Sequence, residues 1–425
     1  MKIAIIGTGI AGNVAAWRLS KTHDITVFEA GNHVGGHTNT VDVETPHGNV
    51  PVDTGFIVFN DRTYPHFVRL LDELGVPARD SEMSFSVRKD DPALEYNGSN
   101  LSGLFAQRRN LVRPSFIRMI RDILRFNREA LRLLDTEDAG TGLGAYLQQH
   151  RYSTEFVRHY LVPMGAAIWS AEPEMLAEMP ARFFIRFFYN HGLLSLDDRP
   201  VWRVIRGGSR EYVRKLVAGH ADRIRLNCPV QSITRRADKV HIKARDCATE
   251  AFDAVFIACH SDEALRLLTD PSRTEREVLG AIRYQQNDAV LHTDRSLMPR
   301  RARAWASWNY HLPATNNERV TLTYHMNRLQ RLDVDTQFFV TLNSPGLIRP
   351  EKVIREISYQ HPVFTAEAVR AQDRKQEIDG VRRTYYCGAY WRYGFHEDGV
   401  VSALSALERF ESDQDHAERY LQRAS

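Results

Sequence analysis

Three glycines and one acid near the N-terminus carry the first readable chemistry. Gly7, Gly9 and Gly12 hold the G-x-G-x-x-G positions of "IIGTGIAGN", directly after the apolar run Lys2–Ile6. The first glycine permits a tight turn, the second lets a phosphate approach the backbone, and the third lets a helix sit close on the strand. Ile10 and Ala11 lead into that helix, read from Ala11 to Ser20, whose N-terminal amides face an anion. "DITVFEA" then reads as a second strand, closed by Glu29 and Ala30. A carboxylate seventeen residues beyond Gly12 falls where ribose hydroxyls would donate to it. A glycine triplet alone is weak, since tight turns use the same residues. Strand, turn, helix, strand and acid in that order specify a dinucleotide site.

Such a site needs a parallel sheet behind it, and the chain is long enough for more. Its 425 residues bury a large core and divide into two domains. Composition is that of a soluble globular protein, 43% hydrophobic and 26% charged, and a net charge of +3 is too small to point to nucleic acid. No apolar stretch is of membrane-spanning length, and Met1 leads straight into the first strand, so the reading expects a cytoplasmic protein without leader or anchor. Cys228, Cys247, Cys259 and Cys387 are scattered without metal-ligand spacing, so free thiols and no metal site are expected. There is no internal repeat or low-complexity linker, which predicts domains that interleave.

After Glu29 come "AGNHVGGHTNTV" and "VPVDTGFIVFNDRTYPHFVRLLDELGV". These segments resemble the flavin-containing amine oxidase, protoporphyrinogen oxidase and phytoene desaturase superfamily. The resemblance implies non-covalent FAD, with Gly35 and Gly36 at its diphosphate, followed by His37 and Thr38, and with Gly55, Phe56 and Ile57 beside the isoalloxazine. His37 stands where most of the superfamily has arginine, so it can donate there without a guaranteed charge. Taken alone, Gly35–Gly36 reads equally as a turn. "RLNCPVQSITRRADKVHIKA" resembles the segment whose valine, here Val230, flanks the adenine. "YYCGAYWRYGFHEDGVVSALSALERF" resembles the closing motif, which assigns Gly388, Asp398, Gly399 and Val400 to the flavin. A simple helix cap by Glu397 and Asp398 would give the same pattern.

The implied fold is α/β. A Rossmann-like FAD-binding domain with a doubly wound parallel sheet is assembled from residues 1–75, 201–269 and 381–425, and an interleaved α+β cap from 76–200 and 270–380. In the cap, "RPSFIRMIRDILRFNREALRLLD" places Phe116, Ile120, Ile123, Leu124 and Leu131 at helical spacing, opposite Arg118, Arg121, Arg125, Arg128 and Arg132. The arginines read as a solvated face or as a surface for anionic lipid headgroups, diluted by Asp122 and Glu129. Aromatic-rich stretches of the cap supply Trp169, Trp202, Trp308, Tyr310, Tyr324 and Tyr393 as candidate pocket walls, though such residues also simply pack. These stretches look most like a bacterial subgroup of FAD-dependent oxidoreductases found beside cyclopropane-type fatty-acid synthases, some linked to furan fatty acids.

Many amine oxidases of the superfamily keep a lysine near flavin N5 on a cap strand. The matching strand, "YQQNDAVLHTD", has no lysine and places Asn287 near that position. An isolated alkyl C–H is a poor hydride donor to a flavin, an allylic C–H a better one, and an amine C–H better still. The first reading is therefore a desaturase or dehydrogenase that passes hydride to flavin N5 from a lipid acyl chain, methyl-branched and unsaturated, or from an isoprenoid-like chain. Its partners would be an apolar or lipid substrate and peripheral contact with the inner membrane surface. The alternatives are an oxidase of small amines or polyamines and a non-catalytic flavoprotein. No acid–base dyad stands out, and no catalytic residue is assigned.

Overall fold

A computed structural model of the chain describes residues 1–46, 48–138, 140–195, 197, 199–313, 321–344 and 346–424, with side chains up to 416. β1 (Lys2–Ile6) lies between β2 (Asp24–Phe28) and the strand Ala254–Ile257. Ile224–Arg225 and Thr384–Tyr386 form the edges, and every pairing is parallel. A parallel sheet is covered on both faces, which is why β1 is apolar after its first residue. Ile3 and Ile5 face α1 (Ile10–Leu19), the helix Arg210–Val217 and the C-terminal helix His396–Ala424. Ala4 and Ile6 face the other way. There they meet an antiparallel meander, Val230–Arg235, Val240–Ala244 and Glu250–Phe252, with the short helices Ser261–Leu267 and Arg273–Gly280. The sheet is the Rossmann-like one expected, with helices on one face and largely strands on the other.

Buried ions pin the meander down. Arg235 forks onto Glu275 and Asp270, and Glu275 also accepts from the Tyr386 hydroxyl at 2.7 Å. Such a group is tolerated in a core because every oxygen has a partner. At the other end of the meander the thiols of Cys228 and Cys247, nineteen residues apart, approach to 3.8 Å.

A second sheet of seven strands stands among the described residues, in the order Val353–Val363, Arg283–His292, Phe339–Leu342, Thr321–His325, Trp308–Leu312, Phe85–Lys89 and Leu94–Asn97. Helices including Pro114–Glu129, Val162–Trp169 and Ala181–Asn190 pack with it around Tyr96, Phe126, Phe156, Phe184 and Tyr310. The arginine-rich helix Pro114–Glu129 is rotated from the expected stripe. Phe116, Met119, Asp122 and Phe126 are buried, whereas Leu124 is 50% exposed. The aromatic rings waiting for it choose the face: Phe116 meets Tyr96 and Phe105, and Phe126 meets Tyr152 and Phe156. Asp122 turns inward to accept from the Ser153 amide at 2.9 Å, and its other oxygen offsets only Arg125, at 3.5 Å. The outer face carries Ile117, Arg121, Leu124 and Arg128, at spacings of four, three and four.

Candidate cofactor and substrate site

The turn after β1 is built as its glycines require. Gly7 has φ +98°, a conformation that costs glycine nothing. A Cβ on Gly12 would lie 2.0 Å from the Gly7 carbonyl oxygen, so only glycine lets α1 seat there. A Cβ on Gly9 would meet no protein atom within 4 Å. Gly9 caps α1 without a side-chain hydrogen bond, leaving the helix's first amides for an anion. Gly36, exposed with φ +59°, comes up against this opening: its Cβ would lie 3.1 Å from Gly9 Cα.

Glu29 is already held before any ligand arrives. Its carboxylate accepts from the Thr8 amide at 2.9 Å, the Thr8 hydroxyl, and the Gly31 amide at 2.7 Å. Ala30 is exposed beside it. The segment leading into Val230 runs alongside, its Asn227 and Cys228 amides donating to the Gly31 and Glu29 carbonyls at 2.8 Å. Glu29 and Val230 are thus brought into one neighbourhood from opposite ends of about 200 residues of chain.

Gly55 abuts the backbone of residue 37: its Cβ would lie 2.2 Å from the His37 carbonyl oxygen, which accepts from the Phe56 amide at 2.8 Å. Phe56 and Ile57 are both 8% exposed, and Phe56 stacks on His396 with ring centroids 3.5 Å apart. Thr38 is buried and shares hydrogen bonds with Tyr212 and with His396 Nε2 at 3.0 Å. Gly399 packs the start of the C-terminal helix on α1, with its Cβ position 2.6 Å from Ile10 Cγ2, and Val400 follows it into the core. The Gly388 amide donates to Ser402 Oγ at 2.9 Å.

The two acids of the closing motif turn away from this seam. Glu397 accepts from the His66 and Phe67 amides, at 3.1 and 2.9 Å, at the start of α2 (Pro65–Leu74), and meets His66 Nδ1 at 2.7 Å. Asp398 Oδ2 accepts from the Tyr393 and Phe395 amides at 3.2 and 2.9 Å, and burial raises its pKa to about 6. The cap reading of these two carboxylates therefore describes their contacts, while the helix backbone remains beside α1.

A cavity of about 700 Å³ opens next to this helix start. Tyr64, Leu131, Tyr189, Tyr393 and Phe395 line it together with Arg62, His66, His191, Arg392, Glu397 and Asp398. Its lining mixes aromatic and aliphatic side chains with charged ones, where the acyl-chain expectation is a long apolar passage. Of the six aromatic candidates, Tyr393 lines it. Trp169 stands one layer behind, donating to the Tyr393 carbonyl at 3.3 Å, and Trp202 packs edge-on to Tyr64. Trp308 meets Tyr324 edge-on within the seven-stranded sheet, and Tyr310 is in the core. These three do not line the cavity: Tyr310 is buried among the cap helices, and Trp308 and Tyr324 are half-buried against the cluster that holds Val52 and Leu322.

Sequence reasoning missed several residues of the seam. Thr8 is the unspecified residue inside the glycine motif. Asp53 is fully buried and accepts from the Thr40 hydroxyl at 2.6 Å and the Ser209 amide at 2.9 Å, fastening the D-T-G turn; burial raises its pKa to about 6. Tyr359 and His361 arrive from a strand with no local signal: Tyr359 stacks on His37 at 4.9 Å and shares a hydrogen bond with Thr54 at 3.0 Å.

An open glycine cradle, an uncapped helix N-terminus, an acid in ribose position and the buried, unpartnered His37 Nε2 together fit a dinucleotide of the FAD kind. Fold and site define a FAD-dependent oxidoreductase. The chain belongs to the flavin-containing amine oxidoreductases, whose family profile matches residues 10–309. It is 22% identical to the L-amino-acid oxidase of Notechis scutatus scutatus over 468 aligned positions, covering 95% of this chain and 85% of that one. It is 36% identical to the 1-hydroxycarotenoid 3,4-desaturase of Flavobacterium sp. (strain P99-3) over 96 residues, 22% of this chain and 18% of the relative. The solved CLA-producing fatty acid isomerase from P. acnes shares the fold, with a TM-score of 0.68 and 18% identity over 96% of this chain and 98% of its own. Among the described residues no helix is long and apolar enough to cross a membrane.

Proposed function

We propose that this flavoenzyme desaturates or dehydrogenates a lipid acyl or isoprenoid-like chain. The observation that carries the reading is how the cavity's acids are used. Both Glu397 oxygens and one of Asp398 are taken by backbone amides, and the other Asp398 oxygen faces Arg392 at 3.7 Å. A substrate ammonium would find both carboxylates of that wall already engaged, Asp398 in part by Arg392, and would face the further positive charge of Arg62. An anionic headgroup or carboxylate suits the two arginines better. Leu131 supports an apolar entry, since it lines the cavity just beyond the arginine helix with its exposed Ile117 and Leu124. The local likeness to a carotenoid desaturase points the same way.

Bound FAD supplies the two-electron acceptor. The protein's own part is to orient the chain and to keep water from it, and Tyr393 and Phe395 serve this by closing one side of the cavity, packed with Trp169 around the Phe187 ring behind them. Gly7, Gly9, Gly12, Glu29, Gly35, Gly36 and the helix start at Asp398–Val400 hold the cofactor in this reading. The L-amino-acid oxidase likeness supports the amine alternative. Anaerobic bleaching of the flavin separates the readings. Methyl-branched unsaturated acyl lipids are expected to bleach it, while polyamines and amino acids leave it yellow. Bleaching by an amine or amino acid alone would replace the proposal with the oxidase reading, and bleaching by neither with the non-catalytic one.

A further inference from the structure

Where the cap sheet meets the cofactor cradle, a chain of hydrogen bonds starts at a backbone amide and ends on an imidazole. The strands Arg283–His292 and Val353–Val363 pair antiparallel, with Asn287 opposite Tyr359. The Asp288 amide donates to Asn343 Oδ1 at 3.2 Å. A backbone N–H can only donate, so this contact sets the Asn343 amide with its nitrogen outward. Asn343 Nδ2 donates to Asn287 Oδ1 at 2.9 Å, and Asn287, fully buried, is thereby left to donate from Nδ2 to His361 Nδ1 at 2.8 Å. His361 Nδ1 must present a lone pair, so the ring proton sits on Nε2.

The ring so oriented lies against the cradle. Its centroid is 5.2 Å from that of His37, which follows Gly36, and Gly36 packs on Gly9. His361 Nε2 has no protein partner among the described residues and is not a buried orphan, so it is open to a ligand. We propose that His361, locked by Asn343 and Asn287 as a neutral Nε2–H donor, is a positioning residue that hydrogen-bonds the bound FAD from the cap side. Charging the ring would set an N–H against the Asn287 amide hydrogens. The ionisable groups around it are His37, His260 and the Tyr359 hydroxyl; burial, then His260, lowers the His361 pKa to about 4, so the donor stays neutral in the working range. This inference rests on the cofactor and not on the substrate.

The decisive variant is Asn287→Asp, in which the side chain becomes an acceptor and reverses the chain. It draws the His361 proton to Nδ1 and leaves Nε2 bare until the ring gains a second proton. FAD titration of the stripped full-length protein between pH 5.5 and 8.5 reads the result. Wild type supplies the reference profile, which carries the titration of Asp53 and Asp398 near pH 6 common to all variants, and each variant is read as its ratio to wild type at the same pH. Asn287→Asp should bind about tenfold more weakly at pH 8.5, one hydrogen bond's worth, and recover as the pH falls to 6. His361→Leu should lose about tenfold at every pH, and His361→Gln, which keeps a donor near the Nε2 position, should restore most of it. A purely structural role predicts no recovery on acidification. Wild-type affinity in His361→Leu, or a flat weak profile in Asn287→Asp, would overturn the proposal. If Asn287→Asp does not fold, the His361 pair decides alone.

Discussion

Two substitutions of the same size, three residues apart, should fail in opposite ways. Gly9 sits with φ −63° at the N-cap of α1, and an added methyl there meets no protein atom within 4 Å. Alanine reduces the freedom of the unfolded chain, worth about 0.4–1 kcal/mol, but is a poorer N-cap than glycine by a similar amount. Apo Gly9→Ala should therefore melt in urea within about 1 kcal/mol of wild type. Its methyl occupies the space through which the diphosphate reaches the helix amides, so FAD affinity should fall at least hundredfold, about 3 kcal/mol. Gly12→Ala places its methyl 2.0 Å from the Gly7 carbonyl oxygen and 3.1 Å from Ala258 Cβ. Neither atom is the end of a flexible side chain, so α1 must move off the sheet, at about 3 kcal/mol or more, with or without FAD. Urea denaturation of the stripped proteins and fluorescence titration with FAD measure the two effects separately. Wild-type FAD affinity in Gly9→Ala, or wild-type stability in Gly12→Ala, would refute the placement of the cradle.

Glu29→Ala should cost stability as well as cofactor. It strands the buried Thr8 amide and the Gly31 amide, about 1–3 kcal/mol each, and lowers FAD affinity about ten- to a hundredfold, whereas Glu29→Gln keeps one acceptor oxygen and should recover only about half of the lost apo stability, since its NH2 faces the other amide. Glu275 has its pKa held down to about 2, against an ordinary 4.5, by the Arg235 ion pair and the Tyr386 hydroxyl, which outweigh its burial. Its stabilisation, about 3 kcal/mol, is fully present above pH 4.5 and lost as pH falls toward 2, so the stability gap between wild type and Glu275→Gln should be widest near neutrality and close below pH 4. Acid precipitation should release the flavin, because Cys387 is buried with its pKa pushed up to about 12 and offers no thiolate; colour remaining in the pellet would show a covalent bond. Replacing Leu111, Val112, Arg121 and Leu124 with serine should abolish salt-sensitive binding to anionic vesicles without loss of flavin, since all four side chains are exposed; Arg125 is left intact because it donates to the His150 and Arg151 carbonyls and covers the Tyr152 ring. Unchanged vesicle binding would remove the membrane from the reading.

The cofactor half was legible because its signals are local. Gly7 is set by its own left-handed φ and Gly12 by the carbonyl of Gly7, Gly9 leaves space rather than filling it, and Glu29 is held by Thr8 and Gly31 close by in sequence, so spacing carries most of the geometry. Where partners are distant, the pattern fails. The helix Pro114–Glu129 offers two overlapping apolar stripes, and only the rings of Tyr96, Tyr152 and Phe156 decide that Met119 and Phe126 go inside while Leu124 stays out. Asp122 looked like surface charge because its acceptor role is toward an amide thirty-one residues on. The aromatic candidates were spread by the same effect: Tyr393 reaches the cavity, while Tyr310 and Trp308 are aimed elsewhere by strand pairings that no local window contains.

The strand Arg283–His292 shows how such a gap can still be narrowed. The sequence marks Asn287 by what is missing there, a lysine, and an absence says nothing of what replaces it. The donor proposed above is not on the same strand: it is His361, on the neighbouring strand, held through Asn287 by Asn343, which takes a left-handed φ of 54°. Three neutral side chains relayed from one backbone amide put a fixed N–H donor where a single charged residue would have needed solvation of its own. A donor of that kind keeps its proton across the working pH range, and it adds no charge to the buried cap side of the cradle whichever substrate approaches the cofactor.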